Sequence, residues 1–196
     1  MSETTQGREV VIVSHSCSGY VGDSSTKYLV PRKKKDHSTS QNSPGHVVGF
    51  INIATSFAVT RLNLVPGAGG STPIWKMDDE SGFLVIRAYP REMFYHDLPA
   101  DEGNEWDQKL ERQSVKGLAE GDELAYAGWK DVPVWYLATT EDKSYPIQAQ
   151  RVLWQKSMDE GGDITVREIH SSHSPMSSRP KETSEFILEA VVNFAR

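Results

Sequence analysis

Four short runs rich in apolar and β-branched residues, separated by helical patterns, constrain the fold more than any other feature of this sequence. The first two runs, residues 9–13 (EVVIV) and 47–54 (VVGFINIA), are almost wholly apolar. Such runs are typical of parallel strands covered on both faces. Two further strand candidates are residues 134–139 (VWYLAT) and 164–169 (ITVREI). The alternation predicts an α/β fold with a mostly parallel sheet and flanking helices.

Helical patterns separate the predicted strands. We predict one helix over residues 19–30, a second over about 146–160, and a last helix that begins at Pro180. Proline is favoured in the first turn of a helix, where its missing N–H is not needed. Apolar residues recur at helical spacing along the last helix, which predicts that it packs on the sheet: Phe186, Ile187, Ala190, Val191 and Phe194.

The stretch between the second and third predicted strands departs from this rhythm. It contains a Gly-rich turn at residues 66–70, a strand-like run at 83–89 and polar helical segments. An insertion at the carboxyl edge of a parallel sheet lies where a cap would cover a site. We therefore expect a core of residues 1–54 and 132–196 and a cap or lid of residues 55–131.

Composition narrows the class of protein. The chain has 196 residues, of which 37% are hydrophobic, so it is long enough to bury a core. Its net charge of -6 gives no basic footprint for nucleic acid, and a small molecule is the expected partner. The single cysteine, Cys17, excludes an internal disulfide, and no Cys/His cluster has zinc spacing. We expect no metal and no cofactor.

Targeting signals are also missing from the sequence pattern. The first twenty residues lack a basic start followed by a long apolar run, and no stretch of 18 apolar residues follows. We therefore expect a soluble, cytoplasmic protein with no membrane partner.

The residues that follow the first predicted strand suggest a nucleophile. Residues 14–19 (SHSCSG) lie between that strand and a predicted helix, as in a strand-turn-helix elbow that presents a serine. Such a turn needs small residues two before and two after the nucleophile, and here Ser14 and Ser18 stand where glycine is usual. Ser16 is the candidate nucleophile. The alternative is that Ser16 caps a helix, a position that serine favours.

Two later residues complete the arrangement that a serine nucleophile needs. Asp142 lies just beyond the third predicted strand, and His173 lies just beyond the fourth. Because the carboxyl ends of parallel strands meet at one edge, these side chains can converge with Ser16. His173 would then be the base and Asp142 the acid that orients it. Asp142 could instead cap a helix or stabilise a turn. His170 competes with His173, which we prefer because it lies in the loop.

Several segments resemble the α/β-hydrolase superfamily and, within it, the small esterase group related to plant methylesterases and hydroxynitrile lyases. The order serine, acid, histidine along the chain is that of these enzymes. The resembling segments are the nucleophile strand and elbow at residues 7–19 (GREVVIVSHSCSG), the cap at 94–102 (FYHDLPADE), the acid strand at 131–146 (DVPVWYLATTEDKSYP) and the histidine loop at 171–180 (SSHSPMSSRP).

The resemblance implies a role for each candidate. Ser16 would be the nucleophile, the backbone N–H of Cys17 an oxyanion donor, Asp142 the acid and His173 the base. The implied activity is hydrolysis of a carboxylic ester or related acyl bond of a small molecule. The hydroxynitrile lyases tend to carry lysine after the base histidine, so Ser174 favours the esterase branch. A cofactor-free lyase that uses the same residues remains an alternative.

The resemblance also implies elements ahead of the nucleophile strand. In the family several strands and helices precede it, whereas residues 1–7 precede it here, so we expect the front half of the fold and its second oxyanion donor to be absent. An unpaired edge at residues 9–13 would invite pairing. We therefore expect a homodimer or a complementing partner at this edge. Another alternative is a weakly active or inactive relative that binds a small molecule or a partner protein.

Aromatic residues of the predicted cap are candidates for the wall of a substrate pocket, with ordinary cap core as the alternative: Trp75, Phe94 and Tyr95. Four histidines show no ligand spacing and are expected to be structural or exposed: His15, His37, His46 and His96.

Overall fold

The computed structural model describes residues 3–30, 45–61, 75–78, 80–86 and 89–195. Strands in these residues form a four-stranded sheet and a separate two-stranded hairpin. In chain order the strands are β1 (Val10–His15), β2 (Val47–Ile53), β3 (Trp75–Asp78), β4 (Phe83–Ile86), β5 (Val134–Thr139) and β6 (Ile164–Ile169).

The main sheet has the order β1-β2-β5-β6, and every pair in it is parallel. The predicted α/β fold with a mostly parallel sheet is confirmed. Strands β5 and β6 have the predicted bounds. Strand β1 is longer than predicted, because Ser14 and His15 pair with Asn52 and Ile53 before the chain turns.

Seven helices occur in the described residues, together with short 3-10 turns at Thr4–Gln6, Asp122–Leu124 and Gly128–Lys130. Proline lies in the first turn of three of the helices, where no N–H is required. The helices are α1 (Ser18–Ser25), α2 (Pro90–Phe94), α3 (Ala100–Gln108), α4 (Lys116–Ala119), α5 (Ile147–Asp159), α6 (Pro175–Ser178) and α7 (Pro180–Phe194).

Helices cover both faces of the main sheet. On one face α7 packs as predicted, with Phe186 and Ala190 fully buried against β2 and β5. Val191, predicted for the same face, is 37% exposed. On the other face the core contains Tyr136 of β5 and Ile147 of α5. Strand residues therefore alternate between two apolar layers, as expected for a covered parallel sheet.

The two ends of the segment 55–131 pack into the core of the main sheet. Phe57 and Trp129 are buried there, with ring centroids 5.7 Å apart. Between these ends lie the β3–β4 hairpin and helices α2 to α4. The Gly-rich turn at 66–70 and His37 lie outside the described residues, and the division into core and cap stays a prediction.

Strand β1 lies at one end of the sheet, with β2 as its only neighbour among the described strands. Val13 of β1 is 49% exposed. Pairing of a partner with this edge stays a prediction. None of the helices in the described ranges has the length and apolar character needed to cross a membrane.

Candidate active site

Ser16 lies in the sharp turn between β1 and α1. Its φ of 55° is in the left-handed region, which non-glycine residues rarely adopt. The turn lies against the residues after β2, where the hydroxyl of Thr55 donates to the carbonyl of Ser16. A Cβ at Gly19 would collide with the Thr55 side chain, so this position requires glycine. Strain at Ser16 is thus held by close backbone packing, as in an elbow that exposes a nucleophile.

The two serines that replace glycine in the elbow pattern each make a specific contact. Ser18 Oγ accepts from the backbone N–H of His15 at 2.9 Å and donates to the carbonyl of His15 at 2.7 Å. Ser14 Oγ donates to Oδ1 of Asn52 in β2 at 2.6 Å. Their hydroxyls therefore stabilise the turn and its strand.

Ser16, His173 and Asp142 form a continuous chain of hydrogen bonds. Ser16 Oγ is 2.9 Å from Nε2 of His173, and Nδ1 of His173 is 2.6 Å from Oδ2 of Asp142. His173 is 3% exposed and Asp142 is 5% exposed. The turn after β1 and the loops after β5 and β6 supply these residues, so the structure brings the three predicted side chains together at one edge of the sheet.

The Asp142 carboxylate is oriented by its own loop. Oδ1 accepts from the backbone N–H groups of Ser144 at 2.8 Å and Tyr145 at 2.7 Å. Oδ2 accepts from the hydroxyl of Thr139 at 2.8 Å and also faces His173. Asp142 therefore stabilises a turn, as the alternative interpretation held, and contacts the histidine as well.

His170, the competing base candidate, lies elsewhere. Its side chain is 74% exposed, and its Nε2 is 3.4 Å from Oε2 of Glu141. The structure thus brings His173, and not His170, to Ser16.

Two cavities meet at Ser16. The smaller, of about 190 Å³, includes Thr55, Tyr145 and His173 in its wall. The larger, of about 360 Å³, extends beneath the β3–β4 hairpin and has mostly apolar walls. Its apolar lining residues are Trp75, Leu84, Ile86, Phe94, Leu110 and Leu118.

The three aromatic candidates have different positions. Trp75 and Phe94 line the larger cavity, and the Phe94 ring is 5.5 Å from the ring of His173. Tyr95 stacks on Trp106 with centroids 6.3 Å apart, and it is not among the described lining residues of either cavity. The structure thus places two of the three beside Ser16.

Cys17 follows Ser16 and lies at the N-cap of α1. Its side chain lines both cavities. Burial raises the pKa of its thiol, and a hydrogen bond with Ser16 offsets only part of this shift. A raised pKa disfavours the thiolate, which is the nucleophilic form of cysteine.

Two further residues contact the site without having been assigned to it from the sequence. His15, expected to be structural or exposed, is half-buried with its ring 4.8 Å from that of His173. Asp97 accepts from the backbone N–H of Ser172 at 2.9 Å and so holds the histidine loop. Adjacency to Ser16 was the one sequence signal for His15, whereas nothing in the sequence pairs Asp97 with residue 172.

Metal coordination finds no support in the part of the chain that is described. Across residues 3–30, 45–61, 75–78, 80–86 and 89–195, no three His, Cys, Asp or Glu side chains are grouped to hold an ion.

Residues 2–186 match the alpha/beta hydrolase family, and the chain belongs to that family. The match covers the sheet, the elbow and the histidine loop. No curated protein sequence matches the chain significantly.

Three solved structures show the same fold at low sequence identity. A pyrethroid hydrolase from Sphingobium faniae JZ-2 has 20% identity and a TM-score of 0.64, covering 91% of this chain and 69% of its own. The methylesterase MES16 from Arabidopsis has 18% identity and a TM-score of 0.62, with coverage of 94% and 70%. Polyneuridine aldehyde esterase has 16% identity and a TM-score of 0.62, with coverage of 94% and 72%. The chain thus spans about 70% of the length of these neighbours.

Proposed function

We propose that this protein is a serine hydrolase that cleaves a carboxylic ester or related acyl bond of a small molecule. The observation that carries the proposal is the hydrogen-bonded chain from Ser16 Oγ through His173 to Asp142, with both bonds shorter than 3.0 Å. Membership of the alpha/beta hydrolase family supports it.

In the proposed mechanism Ser16 Oγ attacks the carbonyl carbon while His173 Nε2 takes its proton. Asp142 keeps the histidine in the tautomer that carries its proton on Nδ1 and stabilises the imidazolium that forms. The tetrahedral intermediate then expels the alcohol, which receives the proton from His173 and leaves an acyl group on Ser16. Water activated by His173 attacks this acyl group and releases the acid.

The proposed oxyanion donor is the backbone N–H of Cys17. As the N-cap of α1, this residue lies at the positive end of a helix of eight residues. The resemblance assigns a second donor to a loop that precedes the nucleophile strand. With Cys17 as the sole donor, turnover would be about 10² to 10³ times slower than with two.

The cavities favour a small substrate with one bulky apolar group. The larger cavity, about 360 Å³ with Trp75 and Phe94 in its wall, suits an apolar ring or branched chain. The smaller cavity, about 190 Å³, suits the lesser part of the ester. Two of the structural neighbours are a methylesterase and polyneuridine aldehyde esterase, and this supports the proposal of an ester substrate.

Hydrolysis of p-nitrophenyl acetate by the purified protein tests the reaction. We expect turnover that Ser16→Ala abolishes and that Ser25→Ala, an exposed serine of α1, leaves unchanged. Absence of turnover by folded native protein, or equal turnover by Ser16→Ala, would contradict the proposal.

The substrate class has its own test. Leu84→Trp narrows the larger cavity from β4, and Leu84 does not line the smaller cavity. We expect it to lower kcat/KM for p-nitrophenyl esters of bulky acids several-fold and to spare the acetate. An equal effect on both esters would exclude this cavity as the binding site of the bulky group.

A further inference from the structure

His15 connects the nucleophile turn directly to the histidine loop. It is the last residue of β1 and immediately precedes Ser16. Its Nε2 lies 2.8 Å from the backbone carbonyl oxygen of His173. The two imidazole rings contact each other, with centroids 4.8 Å apart and planes inclined by 49°. One residue next to the candidate nucleophile thus hydrogen-bonds to the backbone of His173 and contacts its ring.

The hydrogen bond fixes the tautomer of His15. A carbonyl oxygen can only accept, so Nε2 of His15 must carry the proton and donate. Burial, and after it the neighbouring His173, lowers the pKa of His15 to about 4. His15 is therefore neutral across the pH range in which an esterase works.

Neutrality matters because His173 becomes positively charged during the proposed reaction. The titratable groups that act on the His15 ring are His173 from the histidine loop and Asp142 from the acid loop. A second cation 4.8 Å from the His173 ring would oppose imidazolium formation. A neutral donor provides the contact without that repulsion.

We propose that His15 is a positioning residue that holds the backbone and ring of His173 at hydrogen-bonding distance from Ser16. The inference rests on the proposed serine hydrolase function. The side chains of Ser16 and His173 come from segments 157 residues apart, and their 2.9 Å contact depends on how the two loops are held together. The His15 bond joins these loops at the residue adjacent to the nucleophile. A shift of about 1 Å in such a geometry can reduce the rate about 10²-fold.

Three substitutions separate the hydrogen bond from the ring contact. His15→Gln carries an amide N–H that reaches about as far as Nε2 of histidine, whereas His15→Asn is one methylene shorter. His15→Phe keeps a ring beside His173 but cannot donate. We expect Gln to retain kcat on p-nitrophenyl acetate within a few-fold, and Asn and Phe to lose about 10- to 100-fold in kcat with KM changed less than two-fold.

Histidine NMR of the native protein and these variants provides a readout independent of turnover. In the ¹⁵N-labelled native protein, we expect His15 to remain in the Nε2–H tautomer without titrating above pH 5. The inference would be overturned if His15→Asn and His15→Phe both kept the native kcat, or if all three variants lost kcat equally. Titration of His15 near pH 6.5 would also overturn it. Absence of native turnover with the expected His15 tautomer would instead count against the hydrolase function alone.

Discussion

The Oγ atom of Ser16 lies 2.9 Å from Nε2 of His173, although 157 residues separate them in the chain. The parallel sheet makes this contact possible, because β1 and β6 end at the same edge. The turn after β1 presents Ser16 with φ of 55°, and the loop after β6 presents the buried imidazole. The site is thus assembled at strand ends that lie along the same edge of the sheet.

Asp142→Asn should inactivate the protein while leaving it folded. The amide can still accept from Ser144 and Tyr145, but facing His173 it offers a donor where the carboxylate offers an acceptor. The histidine would then adopt the wrong tautomer, and we expect kcat to fall about 10³- to 10⁴-fold with a small change in KM. Steady-state kinetics measure this. A loss under 10-fold in a folded variant would mean that Asp142 does not orient the base.

Asp97 is expected to stabilise the histidine loop. It accepts from the buried backbone N–H of Ser172, while Ser172 Oγ donates to the carbonyl of Phe94. Asp97→Ala would leave the Ser172 N–H unpaired, which costs about 1 to 3 kcal/mol of unfolding free energy. Asp97→Asn keeps an acceptor for this N–H and should lose less unfolding free energy than Asp97→Ala. Urea denaturation of both variants checks this order, and equal stability of Asp97→Ala and the native protein would contradict it.

Asp23 should make the protein less stable as pH rises. Burial, partly offset by a hydrogen bond from the backbone N–H of Ala58, raises the pKa of Asp23 from 3.8 to about 8. In the unfolded chain the carboxyl loses its proton near pH 4, whereas the folded protein keeps it up to about pH 8. The folded state thus binds more protons in this window, and its stability falls by up to about 1.4 kcal/mol per pH unit.

The variant Asp23→Asn tests this pH dependence, because an amide does not titrate and can still accept from Ala58. Urea denaturation at pH 5, 7 and 9 should show that the unfolding free energy of the native protein declines as pH rises, and that the decline is smaller in the variant. Parallel stability curves for the two proteins would show that Asp23 titrates normally in the folded state.

The edge of β1 that faces away from β2, where no described strand pairs, is expected to pair with β1 of a second copy of the chain. The backbone N–H groups of Val10 and Ser16 donate to carbonyl oxygens of the β2 segment. Because successive residues of a strand direct their backbone N–H and C=O groups to opposite sides, those of Val11 and Val13 face away from β2. Val13→Lys would place a charge at this edge, which disfavours strand pairing.

Light scattering checks the oligomeric state of that variant. We expect a dimer for the native protein, a monomer for Val13→Lys, and a dimer for the control Val152→Lys, whose residue is exposed on α5. A native monomer would refute pairing at this edge.

The sheet could be predicted well from the sequence, because its strands are apolar runs with clear ends. β5 and β6 keep their predicted bounds, and α7 begins at Pro180 as expected. β1 was predicted too short, since Ser14 and His15 are strand residues only through their pairing with β2. Polar residues give no local signal for such pairing.

The candidate site could be predicted where its residues follow strands and not where they depend on tertiary contacts. Ser16, Asp142 and His173 each come after a strand, and their convergence follows from parallel topology. The His15 contact with the His173 carbonyl spans 158 residues and has no periodicity to reveal it. Tyr95, beside Phe94 in sequence, turns toward Trp106, a choice that depends on the packing of α3.

Labelling with a fluorophosphonate probe, followed by peptide mass spectrometry, tests the central claim most directly. Such a probe reacts with a serine only when a neighbouring base activates it. If Ser16 is the nucleophile of a hydrolase, we expect one adduct, on Ser16. This adduct should disappear in Ser16→Ala and be strongly reduced in His173→Ala. A folded protein that takes no label, or an adduct on another serine, would contradict it.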